Sequence, residues 1–153
     1  MRSRTLLRTV RGMHDLNGFQ FSPPPGYRVD EVMSSWRGPS TSAGSASFIA
    51  QSKKARLGAS LEELTTETVL ELTQSLGNGL KDMSKAEFGF EDGGTGMLLG
   101  FTLNTSTGTF RQYFALRLQG DRLCTLTVTA SAASLDQAQA NALLTSIASL
   151  RVA

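Results

Sequence analysis

Residues 91–101 read EDGGTGMLLGF, and Gly94, Gly96 and Gly100 fall in a G-x-G-x-x-x-G arrangement close to a dinucleotide-binding signature. Such a fingerprint needs a strand before it and a helix after it, so that the helix N-terminus faces the pyrophosphate. Here the glycines lead into MLLGFTLN, an apolar run of β-formers that ends in a turn. The stretch therefore reads as a turn at Asp92-Gly93-Gly94 that launches a strand, with Gly100 allowing a bulge or a close approach.

Working outward, KAEFGF precedes the turn and TGMLLGFTLN leads through TSTG to TFRQYFALRLQ. Gly120-Asp121 is a two-residue hairpin connection. RLCTLTVTAS follows, with Cys124, Leu126 and Val128 on one face and Thr125, Thr127 and Thr129 on the other. This is a meander of strands.

An amphipathic helix stands on each side of it. Ser60 with Glu63 forms a capping box, and Leu61, Leu64, Thr68, Val69, Leu72 and Leu76 follow at helical spacing until Gly77 and Gly79. Ser134 with Gln137 reads as a second box, followed by Leu135, Ala138, Ala142, Leu143, Ile147 and Leu150. Earlier in the chain, FQF at 19–21, YRVDEVMSSWRG with Tyr27, Val29 and Met33, and ASFIAQS read as strands. SPPPG and GPSTSAGS read as loops, and Lys53, Lys54 and Arg56 as a solvated exit. The order of strands, helix, strands, helix predicts an α+β fold: an antiparallel sheet of about six strands packed with two main helices.

Bulk properties narrow the function. At 153 residues the chain suits one domain, large enough to bury roughly 70% of its unfolded surface. The sequence pI is about 9.0. Arg2, Arg4, Arg8 and Arg11 account for that balance, and setting them aside leaves 11 basic against 13 acidic residues. The basic character thus belongs to residues 1–16, expected as a flexible tail before a domain at 17–153, and no nucleic-acid face is expected. The tail lacks the apolar core of a secretory signal, and no run is long enough to span a membrane. Its acid-free, Arg-rich start leaves open an organellar transit peptide, a loose terminus, or a true start at Met13.

Catalytic chemistry is sparse. His14 is the one histidine and Cys124 the one cysteine, so no Ser-His or Cys-His pair and no zinc set is spaced for function. Cys124 reads as a small core residue. Glu62, Glu63, Glu67 and Glu71 read as a solvated helix flank, and the Asn104-Thr105-Ser106 sequon means little without a signal peptide. No cofactor, no metal and no enzyme activity are expected.

With F-x-F, Pro-Gly-Tyr, Asp30, Trp36, A-S-F-I, L-E-E-L, the Gly-x-Gly turn and GTFRQYFALRLQGDRLCTLTVTAS in this order, the chain resembles the DcrB-like family. The family's fold is shared with PsbP proteins, and the resemblance covers about residues 17–152. Tyr27 stands where the family often has Trp. Within the family the sequence is most similar to Eag-type chaperones of type VI secretion, and the envelope lipoprotein branch would need an N-terminal cysteine that Cys124 does not supply. The resemblance implies a cytoplasmic homodimer that binds the apolar, transmembrane N-terminal segment of a secreted effector without inserting into the membrane itself. Carried onto this chain, the client-binding positions are Met33, Ser35, Ile49, Thr68 and Gln112. Gln112 shares a strand face with Phe110, Phe114 and Leu116, and an amide among apolar groups needs a partner. That partner is either a client or a neighbouring strand or helix end. Two other readings stay open: a module of the same fold that engages a folded protein, and a small-molecule binder.

Overall fold

The computed structural model describes residues 8–10, 13–15, 20, 21, 24, 25, 31–37 and 46–151. Tyr27, Asp30 and the GPSTSAGS loop at 38–45 lie outside the described residues, as does most of the basic segment. Within that segment β1 (Arg8–Val10) and β2 (Met13–Asp15) pair with β3 (Gln20–Phe21) in a small antiparallel sheet. Strand structure therefore begins inside the stretch expected as a tail, and His14 sits in β2 opposite Thr9 and Phe21.

The main body is one six-stranded antiparallel sheet with a helix against each face, the α+β architecture expected. Its strands are β4 (Glu31–Arg37), β5 (Ser47–Lys54), β6 (Leu80–Gly89), β7 (Thr95–Thr105), β8 (Gly108–Gln119) and β9 (Arg122–Ser131). They run in the order β4-β5-β9-β8-β7-β6. The last four strands follow the chain through tight hairpins, and β9 then pairs with β5 from before the first helix. Gly120, at φ +58, makes the β8–β9 turn, with Gln119 opposite Arg122.

Helix α1 (Leu61–Leu76) starts where expected: Ser60 Oγ accepts from the Glu63 N–H at 3.1 Å. The Glu63 side chain does not return the bond, because Arg56 from the preceding loop takes both Glu63 and Glu67. Helix α2 (Gln137–Ala148) departs from expectation. Its N-cap is Asp136, in a full capping box with Gln139, two residues beyond the predicted Ser134. Residues Ala132–Ser134 form a 3-10 turn instead, and Ser134 Oγ donates to the Ser131 carbonyl. The shift rotates the buried stripe onto Leu143, Leu144 and Ile147 and leaves Ala138 and Ala142 exposed. Among the described residues no helix is long and apolar enough to cross a membrane.

Alternation along the strands sends successive side chains to opposite faces. Leu99, Leu116 and Leu123 meet Leu64 of α1 on one face; Ala115, Leu126 and Val128 meet Ile147 of α2 on the other. Cys124 is buried on the α2 side, as a core residue should be.

The glycines of 91–101 have a structural task. The β6–β7 turn closes with Phe90 N–H on the Gly94 carbonyl at 2.8 Å, with Gly93 at φ +87. Asp92 Oδ1 accepts from the Gly94 N–H, and Asp92 Oδ2 receives Arg117 Nη2 at 2.7 Å. Arg117 is itself buried, lies 4.8 Å from the Phe90 ring centroid, and donates Nη1 to the Leu150 carbonyl at 2.8 Å. The Glu91 N–H takes the Ala148 carbonyl at 2.9 Å. Carbonyls at and just beyond the end of α2, which a helix leaves without internal partners, are thus satisfied by this turn and by Arg117. A Cβ on Gly94 would strike the guanidinium, and one on Gly96 would strike the Leu116 carbonyl and the Phe90 ring. Gly100 permits the close approach of Arg111 and Ser84, and the bulge lies across from it on β6, where Asp82 adopts φ +55.

Candidate binding face

Helix α1 lies mainly over β7 and β8. Beyond it the same face continues across β9, β5 and β4, and register assigns its floor. One row runs Leu99, Phe114, Thr127, Ile49, Ser35. A second runs Phe101, Gln112, Thr129, Ser47, Arg37. A third runs Met97, Leu116, Thr125, Gln51, Met33. Each row passes from Leu or Phe under the helix to threonine in the middle and then to the open strands.

Four of the five predicted residues, Met33, Ser35, Ile49 and Gln112, therefore share one face. On its open side Met33 is 67% exposed and Ile49 41% exposed, while Ser35 beside them is exposed as well. Isolated exposed apolar residues are ordinary, but here two large ones lie on adjacent strands of the same face, around a polar floor.

Thr68 is placed differently. It is half-buried on α1, and its hydroxyl donates to the Leu64 carbonyl at 2.8 Å. It lines a cleft of about 230 Å³ with Leu64, Glu67, Glu71, Lys53, Lys54 and Leu123, at the far end of β5. Its side chain thus forms part of the wall that α1 raises over this face, with its hydroxyl already used.

Gln112 has an internal partner. Its Nε2 donates to Thr129 Oγ1 at 2.9 Å, so the neighbouring-strand alternative holds for that half of the amide. Among the described residues no hydrogen-bond partner meets its Oε1. Phe110 and Phe114 flank it on β8, as the alternation predicts.

The sequence reading missed Thr127, Thr129 and Gln51 as members of this face. The signal for the threonines was present: pairing counted back from the Gly120-Asp121 turn sets Gln112 against Thr129. The long connection before β5 hid Gln51.

The electrostatics are mild. Lys53 and Lys54 are exposed at one end beside the acidic flank of α1, where Arg56 holds Glu63 and Glu67. A second cleft of about 190 Å³ lies by α2 on the opposite side, lined by Ala46, Leu135, Ala142 and Leu143. Both clefts fall below the roughly 300–1,000 Å³ typical of small-molecule sites. The open half of the sheet is suited instead to an extended apolar contact with a few hydroxyl and amide groups beneath it.

No protein-family model matches the chain, and no curated sequence does. Among solved structures, the crystal structure of PA94 from Pseudomonas aeruginosa, a protein of unknown function classed provisionally as a regulator, is similar with a TM-score of 0.68. The match covers 92% of this chain and 96% of that one at 14% identity. Likeness at that identity establishes a shared fold and says nothing of activity.

Proposed function

We propose that the protein is a non-enzymatic, cytoplasmic, homodimeric chaperone that holds the apolar N-terminal segment of a type VI secretion effector against the open half of the α1-side face. The observation that carries this reading is the exposure of Met33 and Ile49 on the face that also holds Gln112, Thr127 and Thr129. The resemblance to Eag-type chaperones supplies the class of client.

The physics is consistent. A transmembrane helix satisfies its own backbone, so in water its liability is apolar surface. A groove that accepts such a helix needs apolar anchors and little else, the general mode of helix-in-groove recognition. Covering the exposed parts of Met33 and Ile49 contributes about 1–2 kcal/mol each. The threonine floor offers small, hydroxylated surface over which a helix approaches closely.

Co-expression tests the reading. The effector segment, fused to a carrier protein, becomes more soluble with the wild type and returns to its chaperone-free level with the Met33→Asp/Ile49→Asp variant. Equal rescue by a double variant of unchanged unfolding midpoint removes the face from the account. Capture of a folded domain that lacks any apolar helix would favour the general binding module.

A further inference from the structure

The Gln112 amide is bonded on one side. A primary amide carries two N–H donors and an oxygen with two acceptor sites. Thr129 Oγ1 takes one donor at 2.9 Å. Register places Gln112 directly between Thr129 on β9 and Phe101 on β7, and Phe101 is fully buried on the covered side. Phe101 offers the amide no polar partner, so the bond to Thr129 draws the amide toward the open half of the face. What remains for a ligand is an oxygen with both lone pairs and a single N–H, half-buried between Phe110 and Phe114.

An acceptor left unmatched in such a place is unfavourable when an apolar surface covers it. A bound apolar helix cannot supply its backbone N–H groups, because they are bonded internally. The donor must come from a side chain. A charged one is costly on an otherwise apolar segment. A hydroxyl both donates to Oε1 and accepts the remaining N–H, and it is small enough to sit over the threonine floor.

We infer that Gln112 selects clients carrying Ser or Thr at one position of the apolar helix, and that Thr129 is the positioning residue that presents the Gln112 oxygen to it. This rests on the open face being a helix-binding surface. With Val at position 129 the amide loses its tether and turns either end outward, so apolar contact persists while discrimination is lost.

The probe is a Leu/Ala helix of roughly 20 residues with a lysine pair at each end, fused to a soluble carrier, its central residue Ser or Ala. The full-length protein binds the Ser form about fivefold more tightly than the Ala form, the worth of one hydrogen bond. Thr129→Val brings that ratio to about one and leaves affinity for the Ala form within about twofold. Thr129→Ser restores the preference, which a purely structural role for Thr129 does not predict. Equal binding of the two forms by the wild type overturns the selection and leaves the face intact. An unchanged ratio in Thr129→Val overturns the role of Thr129. Failure to bind either form overturns the inference together with the functional reading beneath it.

Discussion

The two faces of the sheet are built from the same strands and finished differently. On the α2 side, β9 contributes Cys124, Leu126 and Val128, and β8 contributes Ala115, all closed beneath Ile147. That helix is also tied down, since Glu91 and Arg117 take up carbonyls at its end. On the α1 side the alternate residues of β9 are Leu123 under the helix, then Thr125, Thr127 and Thr129 beyond it. Composition thus follows coverage along a single strand. Met33 and Ile49 break that pattern, because a face shaped for water alone would carry polar residues there. The comparison teaches that one face is a finished core and the other a core completed by something else.

The contrast breaks most visibly in stability. Ile147→Ala on the closed face costs about 3–4 kcal/mol, whereas Ile49→Ala on the open face costs less than about 1 kcal/mol. Urea unfolding measures both, and equal losses would erase the distinction between the faces. Next in size is Arg117→Leu. It strands the Leu150 carbonyl and frees Asp92, at a cost of about 2–3 kcal/mol. Amide hydrogen exchange along α2 should quicken more than exchange along α1.

A smaller effect appears with pH. The bond from Arg117, and after it the Gly94 N–H, holds the Asp92 carboxyl below its ordinary value of 3.8. A carboxyl with a depressed folded value contributes stability that is present above its unfolded value and lost as pH falls through the folded one. Thermal midpoints between about pH 5 and 2 should therefore decline less steeply for Asp92→Asn than for the wild type. Parallel declines would show that the clamp does not depend on the Asp92 charge. The smallest effect is Met33→Asp, which alters the unfolding free energy by no more than about 0.5 kcal/mol. A larger loss would mean that Met33 already belongs to a packed core.

Much of this was legible where local rules act. The Ser60 cap, the Gly120-Asp121 hairpin and the switch from glycines to strand at 95–105 follow from short-range chemistry. The second helix was misplaced because Ser134 with Gln137 and Asp136 with Gln139 both satisfy the capping pattern. The 3-10 turn at 132–134, which only the packed structure shows, decides between them. For the binding face, the shared side of Met33, Ser35, Ile49 and Gln112 depends on pairing β5 with β9, strands separated by the first helix and the meander. No local signal carries that register. The Thr129 bond to Gln112 was within reach, since it follows from the hairpin alone. The role of Arg117 was not, because its partners come from three separate places in the chain.

Site-directed crosslinking to the client tests the central claim most directly. Single cysteines replace Ile49 on the open half, Leu70 on the outer side of α1, and Ala138 on α2, each carrying the same short crosslinker while Cys124 stays buried. Leu70 is 56% exposed, so it is a fair control for reactivity. With an apolar effector segment bound, the Ile49 position alone should crosslink efficiently. Equal yields at all three positions, or a higher yield at Leu70 or Ala138, would contradict the assignment of the open half of the α1 face as the binding surface.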